Sequence, residues 1–166
     1  MTMTKEQYEK ISAPYRKNEK SMKIIKRMDL LLTLIIYAVY PMVLFTLLYQ
    51  KCWLDFTKCL VIPAISFVAV SVFRKIYSAP RPYEVLDILP LIKKDTKGKS
   101  FPSRHVFSVF IIGMTVFFVS KPWGIVVFVI GILMGYVRVA GGVHFPKDVF
   151  AGAIIGILCG LFYYVI

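Results

Sequence analysis

The chain has 166 residues, 58% of them hydrophobic, and its mean hydropathy is +0.69. This composition excludes an ordinary soluble globular protein, and the length fits a single domain. The net charge of +12, from 21 Lys and Arg against 9 Asp and Glu, suits anionic lipid headgroups and phosphate groups. Because apolar segments separate the basic ones, we expect no nucleic-acid partner.

Residues 1–27 are polar and basic, with scattered apolar positions such as Ile11 and Tyr15. We predict an interfacial amphipathic helix interrupted near Pro14, with a flexible tail as the alternative. A cleaved signal peptide is disfavoured, because 27 residues precede the first apolar run and no small-residue cleavage pattern follows it. Residues 28–166 are predicted to form the transmembrane domain.

Uncharged runs cover residues 30–50, 59–73, 106–120, 122–137 and 149–166. A membrane-spanning helix needs about 20 residues, or about 17 at the short end. The first and last runs reach this length, and the middle three reach it when flanking residues such as Phe56, Ser103 and Arg138 are added. We therefore predict an all-α fold, an integral membrane bundle of about five transmembrane helices, multi-pass in the cell membrane.

Glycines four residues apart recur in the last two predicted spans. This spacing forms a flat stripe on which another helix backbone can approach closely. We predict that these two spans pack along their stripes and hold the turn between them in place, the alternative being that glycine is simply common in membrane helices. The glycines are Gly131, Gly135, Gly152, Gly156 and Gly160.

The connection over residues 76–101 is apolar in its first part and cationic in its second. We predict a segment that lies on the bilayer surface with its apolar side down, as a lid, a lipid entrance or a surface anchor. The apolar residues are Val85, Leu86, Ile88, Leu89, Leu91 and Ile92, and the lysines are Lys93, Lys94, Lys97 and Lys99.

A histidine and a carboxylate stand at the start of the last apolar run. Pro146 suits a first helical turn, so we predict that the last helix begins near Phe145. His144 then lies at a helix N-terminus, where an anion is favoured. Asp148, one turn further on, is placed to orient the histidine, fix its tautomer and leave the other ring nitrogen as a nucleophile.

Two more polar clusters border apolar runs. Ser103, Arg104 and His105 open the third predicted span, with Ser103 as a candidate N-cap. Arg74 and Arg81 frame the end of the second span and suit a clamp on phosphate oxygens. With five spans, these clusters and His144 share one side of the membrane. A single arginine or histidine at a helix end is usually an anchor, but three clusters on one face predict a phosphate site.

The three segments resemble the signature of the type 2 phosphatidic acid phosphatase (PAP2) family, Lys-x6-Arg-Pro, Pro-Ser-Gly-His and Ser-Arg-x5-His-x3-Asp, over residues 74–148. The resemblance implies a membrane enzyme that hydrolyses a lipid phosphate monoester or diphosphate through a phosphohistidine, with no metal or other cofactor. The candidate substrates are polyprenyl phosphate or diphosphate, phosphatidate and phosphatidylglycerol phosphate.

The resemblance also implies a role for each site residue. His144 attacks phosphorus, Asp148 orients it, and His105 protonates the leaving group and then helps to activate water. Since the two histidines need opposite protonation states, a bell-shaped pH–rate profile is expected. The residues implied to bind the phosphoryl oxygens are Arg74, Arg81, Ser103, Arg104 and Arg138.

Three positions depart from the family signature. Arg74 replaces a lysine, which keeps the charge and changes the geometry. Val137 replaces a serine and removes one hydroxyl. Arg104 replaces a glycine and adds a cation, which we expect to engage a second anionic group, such as that of a diphosphate, or the lipid headgroups.

Eighteen of the 21 Lys and Arg residues fall on the side shared by the N-terminal segment and the three motifs. The positive-inside rule then predicts a site that faces the cytoplasm.

Two alternative functions fit the same residues: a lipid phosphotransferase, and a lipid-phosphate binder or transporter with a vestigial site. A vanadium-dependent haloperoxidase has a related site, but five membrane spans in this length disfavour it.

Overall fold

The computed structural model describes residues 3–94 and 96–165. The all-α prediction is confirmed, since this part of the chain contains helices and no strand. The elements are α1 Lys5–Arg16, α2 Glu19–Tyr49, α3 Trp53–Tyr77, the short α4 Pro82–Val85, α5 Arg104–Val119, α6 Lys121–Ala140, α7 Pro146–Gly160 and a 3-10 helix at Leu161–Tyr164.

Four helices of the described chain, α2, α3, α6 and α7 with its 3-10 extension, are long and apolar enough to cross a membrane. The fifth, α5, has 16 residues, about 24 Å at 1.5 Å per residue, against a hydrocarbon core of about 30 Å. Most of α5 is buried, because the other helices surround it. The protein is thus a membrane helical bundle in which the four candidate spans of the described chain pack around the short α5.

The glycine stripes explain why α5 can be central, and they correct part of one prediction. A Cβ added to Gly152 would lie 2.6 Å from the carbonyl oxygen of Ser103, and one on Gly156 would lie 2.9 Å from that of Phe107. Gly131 of α6 faces the ring of Phe110 on α5. Gly135 of α6 faces Val149 of α7, so the predicted packing of the last two spans is found at that position. The other four glycines of the two stripes instead face α5.

The N-terminal helix α1 packs on the end of the bundle that carries the polar clusters. It begins with a capping box between Thr4 and Gln7, and Pro14 lies inside it rather than ending it. The interruption falls instead between Arg16 and Glu19, where α2 begins. The predicted boundary between residues 27 and 28 lies within α2. Tyr8 of α1 is fully buried.

The connection between α3 and α5 is packed into the protein rather than laid on the bilayer. Ile88, Leu91 and Ile92 are buried, while Val85 and Leu89 are exposed. The backbone N–H of Ile92 donates to the carbonyl of residue 141. The predicted surface segment with its apolar side down is wrong, because half of those apolar residues pack against α1 and the α6–α7 turn.

Glu84 and Gly98 close this connection into a compact loop. The Glu84 carboxylate accepts from the backbone N–H of Arg81 at 2.7 Å and from that of Gly98 at 2.9 Å. Gly98 has φ +63°, and a Cβ there would lie 2.5 Å from the hydroxyl of Ser78, so glycine is required. The loop thereby brings residues 98–103 over the polar end of the bundle.

Candidate active site

The three polar clusters meet at one end of the bundle, around a cavity of about 400 Å³. It lies where α3 ends, α5 begins and α7 begins. Ser103, Arg138 and Asp148 are buried behind its wall. The predicted site residues that line it are Arg74, Arg81, Arg104, His105 and His144.

His144 is buried between two polar partners on one side and an arginine on the other. Its Nδ1 lies 3.6 Å from Oδ2 of Asp148 and 3.4 Å from the hydroxyl of Ser100. Its Nε2 lies 3.5 Å from Nη1 of Arg81. Because a guanidinium only donates, this arrangement favours the tautomer with its proton on Nδ1 and its lone pair on Nε2.

Asp148 is held in the first turn of α7 by local and distant donors. Its Oδ2 accepts from the backbone N–H of Phe145 at 2.9 Å and from the hydroxyl of Ser100 at 2.5 Å. These bonds fix the carboxylate beside His144, and the predicted orienting contact is a close approach rather than a short hydrogen bond.

The electrostatics of His144 favour its neutral form. Complete burial, followed by the positive charges of Arg138, Arg81 and Arg74, lowers the pKa of His144 well below its usual value. The imidazole is therefore uncharged at neutral pH.

Arg74 and Arg81 organise the loop as well as charging the cavity. Arg74 donates three hydrogen bonds to backbone carbonyls within residues 99–102. Arg81 donates to the carbonyl of Gly98 at 3.0 Å and to that of Val143 at 2.9 Å. The two guanidiniums thus tie the loop to α3 and to the turn that carries His144.

Arg138 connects a carboxylate of α2 to His105. Its Nη1 donates to both oxygens of Asp29, at 2.8 and 2.9 Å, and its Nη2 lies 3.0 Å from Nδ1 of His105. Since Arg138 donates, Nδ1 of His105 accepts, and the neutral ring carries its proton on Nε2. His105 is only partly buried.

Ser103 occupies the predicted N-cap position of α5, but its side chain makes no capping bond. Its backbone N–H donates to the carbonyl of Asp148 at 2.8 Å, which joins the starts of α5 and α7. Its hydroxyl is buried and has no partner within residues 3–94 and 96–165.

Arg104 lies at the border between the polar cavity and an apolar cleft. Its guanidinium lies 5.4 Å from the ring centroid of Phe67 on α3. The cleft, of about 170 Å³, shares Arg104 and His105 with the cavity and extends along Ile36, Tyr37 and Phe67. A hydrocarbon chain attached to a group in the cavity has an apolar path there towards the membrane-facing surface.

The prediction from sequence missed three polar residues of the site, Ser100, Asp29 and Lys94. Ser100 carries no charge and directly precedes the second motif, while Asp29 borders the first apolar run, where a carboxylate is a signal of function. Lys94 was one of four loop lysines, and it alone of these is half-buried. Burial, with Arg138 and Arg81, lowers the pKa of Lys94 to about 7.

No group of three His, Cys, Asp or Glu side chains in the described chain has the arrangement of a metal site. The residues that line the cavity combine a neutral imidazole, that of His144, with several cations.

Comparison with known proteins identifies relatives of this chain. The bacitracin transport permease protein BcrC of Bacillus licheniformis is 34% identical over 134 residues, covering 76% of this chain and 64% of that protein. Undecaprenyl-diphosphatase BcrC of Bacillus subtilis (strain 168) is 28% identical over 89 residues, covering 54% and 46%. The chain thus spans about half to two thirds of the length of these curated relatives.

The fold has a close counterpart among solved structures. The crystal structure of Aquifex aeolicus LpxE superposes with a TM-score of 0.75 at 24% identity, covering 100% of this chain and 97% of that one. The sequence profile of the PAP2 superfamily matches residues 55–166, about two thirds of the chain and all three motifs. The family resemblance is confirmed, and the protein belongs to the PAP2 superfamily.

Proposed function

We propose that this membrane protein hydrolyses a lipid phosphate monoester or diphosphate through a phosphohistidine, without a metal or cofactor. The observation that carries the proposal is the orientation of the His144 ring and its neutral form. Its Nδ1 faces Asp148 and Ser100, while its Nε2 lies at a cavity lined by cations. A neutral, oriented imidazole beside positive charge is what nucleophilic attack on a phosphate anion needs.

In the first step, the Nε2 lone pair of His144 forms a bond to phosphorus as the bond from phosphorus to the leaving oxygen breaks. As the anionic substrate binds, Arg138 turns from Nδ1 of His105 to a phosphoryl oxygen, and His105 takes up a proton and becomes an imidazolium. The leaving oxygen takes the electron pair, and this imidazolium gives it the proton from Nε2 and becomes neutral. Arg74, Arg81, Ser103, Arg104 and Arg138 are proposed to bind or position the phosphoryl oxygens.

In the second step, a water oxygen attacks the phosphohistidine and the phosphorus–nitrogen bond breaks. His105, now lacking its proton, accepts one from the water. Inorganic phosphate leaves and His144 returns to its neutral state, so protons and electron pairs balance over the cycle.

A lipid substrate is supported by the apolar cleft that joins the cavity at Arg104 and His105. Polyprenyl diphosphate is the preferred candidate, because the Bacillus subtilis relative is named undecaprenyl-diphosphatase. Phosphatidate and phosphatidylglycerol phosphate have the same combination of apolar chains and a phosphate group.

The test is phosphate release by the purified protein in detergent with a chelator present. The panel is undecaprenyl diphosphate, undecaprenyl phosphate, phosphatidate and phosphatidylglycerol phosphate, each with wild type and His144→Ala. We expect release from at least one lipid and none by the variant. A requirement for a divalent cation, or full activity of the variant, would contradict the proposal.

Two alternatives are tested by the same preparation. The Bacillus licheniformis relative is named a transport permease, which favours a lipid-phosphate binder or transporter as the second candidate. Lipid binding by wild type without any phosphate release would select it. A phosphotransferase would instead release less phosphate when a lipid or sugar acceptor is added, with a new phosphorylated product.

We also propose that the site faces the cytoplasm. The site end carries most of the Lys and Arg residues, whereas Lys51, Lys58 and Lys121 belong to the opposite end. Single cysteines at the exposed positions Lys10 and Lys121, in a chain lacking Cys52, Cys59 and Cys159, provide the test. An impermeant thiol reagent on intact cells should label position 121 and spare position 10, and the reverse pattern would place the site outside.

A further inference from the structure

Resting on the proposed function, we propose that Lys94 binds the second phosphate group of a lipid diphosphate and thereby determines selectivity for diphosphates over monophosphates. Lys94 belongs to none of the three motifs. It lies two residues after Ile92, where the apolar part of the loop that covers the site ends.

The charge of the cavity exceeds what a single phosphate group needs. No aspartate or glutamate is among its described lining residues. A phosphate monoester carries about −1.5 to −2 at neutral pH, and a diphosphate carries more. The cations that line the cavity are Arg74, Lys75, Arg81, Lys94, Lys99 and Arg104.

The buried cations of the site are already engaged by the protein. Arg74 and Arg81 donate to backbone carbonyls of the loop and of the α6–α7 turn. Arg138 pairs with Asp29 and contacts His105. They form a fixed positive wall around the phosphorus that His144 attacks.

Lys94 differs from these cations, because no described residue accepts a hydrogen bond from it or forms an ion pair with it. Glu84 lines the adjoining depression with Lys94, but its oxygens already accept from the backbone of Arg81 and Gly98. A half-buried ammonium that none of the described residues pairs with is unfavourable until an anion arrives. The lowered pKa of Lys94, caused by burial and by Arg138 and Arg81, reflects that unfavourable state.

Lys94 also borders both parts of the path into the site. It lines both the cavity with His144 and the shallower depression formed with Tyr83, Glu84 and Lys97. We place the attacked phosphate of a diphosphate at His144 and its second phosphate at Lys94, a position for which a monophosphate has no group.

The chemistry then assigns Lys94 to the phosphate that is not attacked. Nε2 of His144 bonds to the terminal phosphorus, and the bond from that phosphorus to the bridging oxygen breaks. The electron pair stays on the lipid monophosphate that leaves. Lys94 stabilises the negative charge that this leaving group gains, and a monophosphate substrate has no such group.

The test compares Lys94→Gln with Lys93→Gln, a matched removal of the neighbouring exposed lysine. Values of kcat/KM are measured for undecaprenyl diphosphate and undecaprenyl phosphate. We expect Lys94→Gln to lose about 10- to 100-fold on the diphosphate, as for a bond to a charged group, and to stay within about twofold on the monophosphate. Lys93→Gln should change neither value beyond that range.

Further variants separate a local effect from misfolding. Lys94→Arg keeps the charge and should recover most of the diphosphate activity, with an unchanged Tm for both Lys94 variants. Inorganic diphosphate and orthophosphate serve as competitive inhibitors, and only the diphosphate should bind more weakly to Lys94→Gln.

Three results would overturn the assignment of Lys94: equal losses on both substrates, no loss on the diphosphate, or a wild type that hydrolyses monophosphates alone. In each of these cases wild-type hydrolysis persists, so the proposed function stands. Absence of phosphate release from every lipid would instead refute the proposed function, and with it this inference.

Discussion

The two histidines of the site occupy the same kind of position, at or just before the N-terminus of a helix, but their surroundings differ. His144 is buried beside Asp148 and Ser100. His105 is partly exposed, and a carboxylate, Asp29, reaches it only through Arg138. A carboxylate on one side leaves Nε2 of His144 as an acceptor, whereas an arginine on one side leaves Nε2–H of His105 as a donor. In the proposed mechanism, this difference in the partner of Nδ1 makes His144 the nucleophile and His105 the acid.

The largest effect is expected from His144→Ala, which removes the nucleophile. Phosphate release should fall by about 10⁴-fold or more, as when other covalent nucleophiles are removed. Rapid quench with a terminally ³²P-labelled lipid should trap an acid-labile, base-stable phosphoprotein in wild type and none in the variant. A labelled His144→Ala protein would show that the two histidines have been assigned in the wrong order.

His105→Asn tests the second histidine of the site and should cause the next largest loss of rate. Loss of a general acid typically lowers the rate by about 10² to 10⁴-fold. The loss should be largest on phosphatidate, where the leaving oxygen becomes an alkoxide. It should be smaller on undecaprenyl diphosphate, whose leaving group is a phosphate with a pKa of about 6. Equal kcat losses on the two lipids would contradict the assignment of His105 as acid.

Ser100→Ala tests whether Ser100 positions Asp148 beside His144. Its hydroxyl donates to Asp148 at 2.5 Å, and without it the carboxylate loses one of two fixing bonds. We expect a fall in kcat of about 10- to 100-fold, the range for residues that orient a functional group. KM should be unchanged and Ser100→Thr should restore part of the rate. Ser120→Ala, at the far end of the bundle, is the matched control, and a loss there of similar size would indicate a general structural effect.

Asp29→Asn tests whether Asp29 holds Arg138 against His105. The loss of rate should be smaller, about tenfold. The amide still accepts from Arg138 but removes the charge that fixes it. Because Arg138 then shifts from Nδ1 of His105, the basic limb of the pH–rate profile should move while the His144 limb stays. A variant whose pH profile is unchanged while its Tm falls would assign Asp29 to stability alone.

The smallest effect concerns how the stability of the folded protein depends on pH. The pKa of His144 is lowered in the folded protein, so the unfolded chain takes up a proton near pH 6.5 while the folded chain does not. This contribution is therefore constant above pH 6.5 and is lost as the pH falls towards the folded pKa. The Tm of wild type in detergent should fall more steeply from pH 6.5 to 5 than that of His144→Asn. Parallel curves would contradict the buried, neutral imidazole.

The features of the fold that could be predicted from sequence are those that depend on neighbouring residues. Apolar runs of sufficient length predicted the membrane helices, and Pro146 placed the start of α7 correctly at the residue after Phe145. The direction in which a helix face points was not predictable, so four of the five glycines of α6 and α7 were paired with each other's helix instead of with α5. The prediction that residues 88–92 lie against the bilayer was wrong for the same reason. An apolar loop residue can pack against either lipid or protein, and its sequence does not distinguish the two.

The sequence by itself determined that this is a helical membrane protein with two histidines, one key carboxylate and several arginines at one end of the bundle. It did so because span length, helix starts and motif spacing are local properties. Only the tertiary structure decided which atoms meet. Asp29 and Arg138 lie 109 residues apart, and Ser100 and Asp148 lie 48 apart. These pairs depend on how five helices and one loop pack, and the protonation preferences of His105 and His144 depend on the pairs.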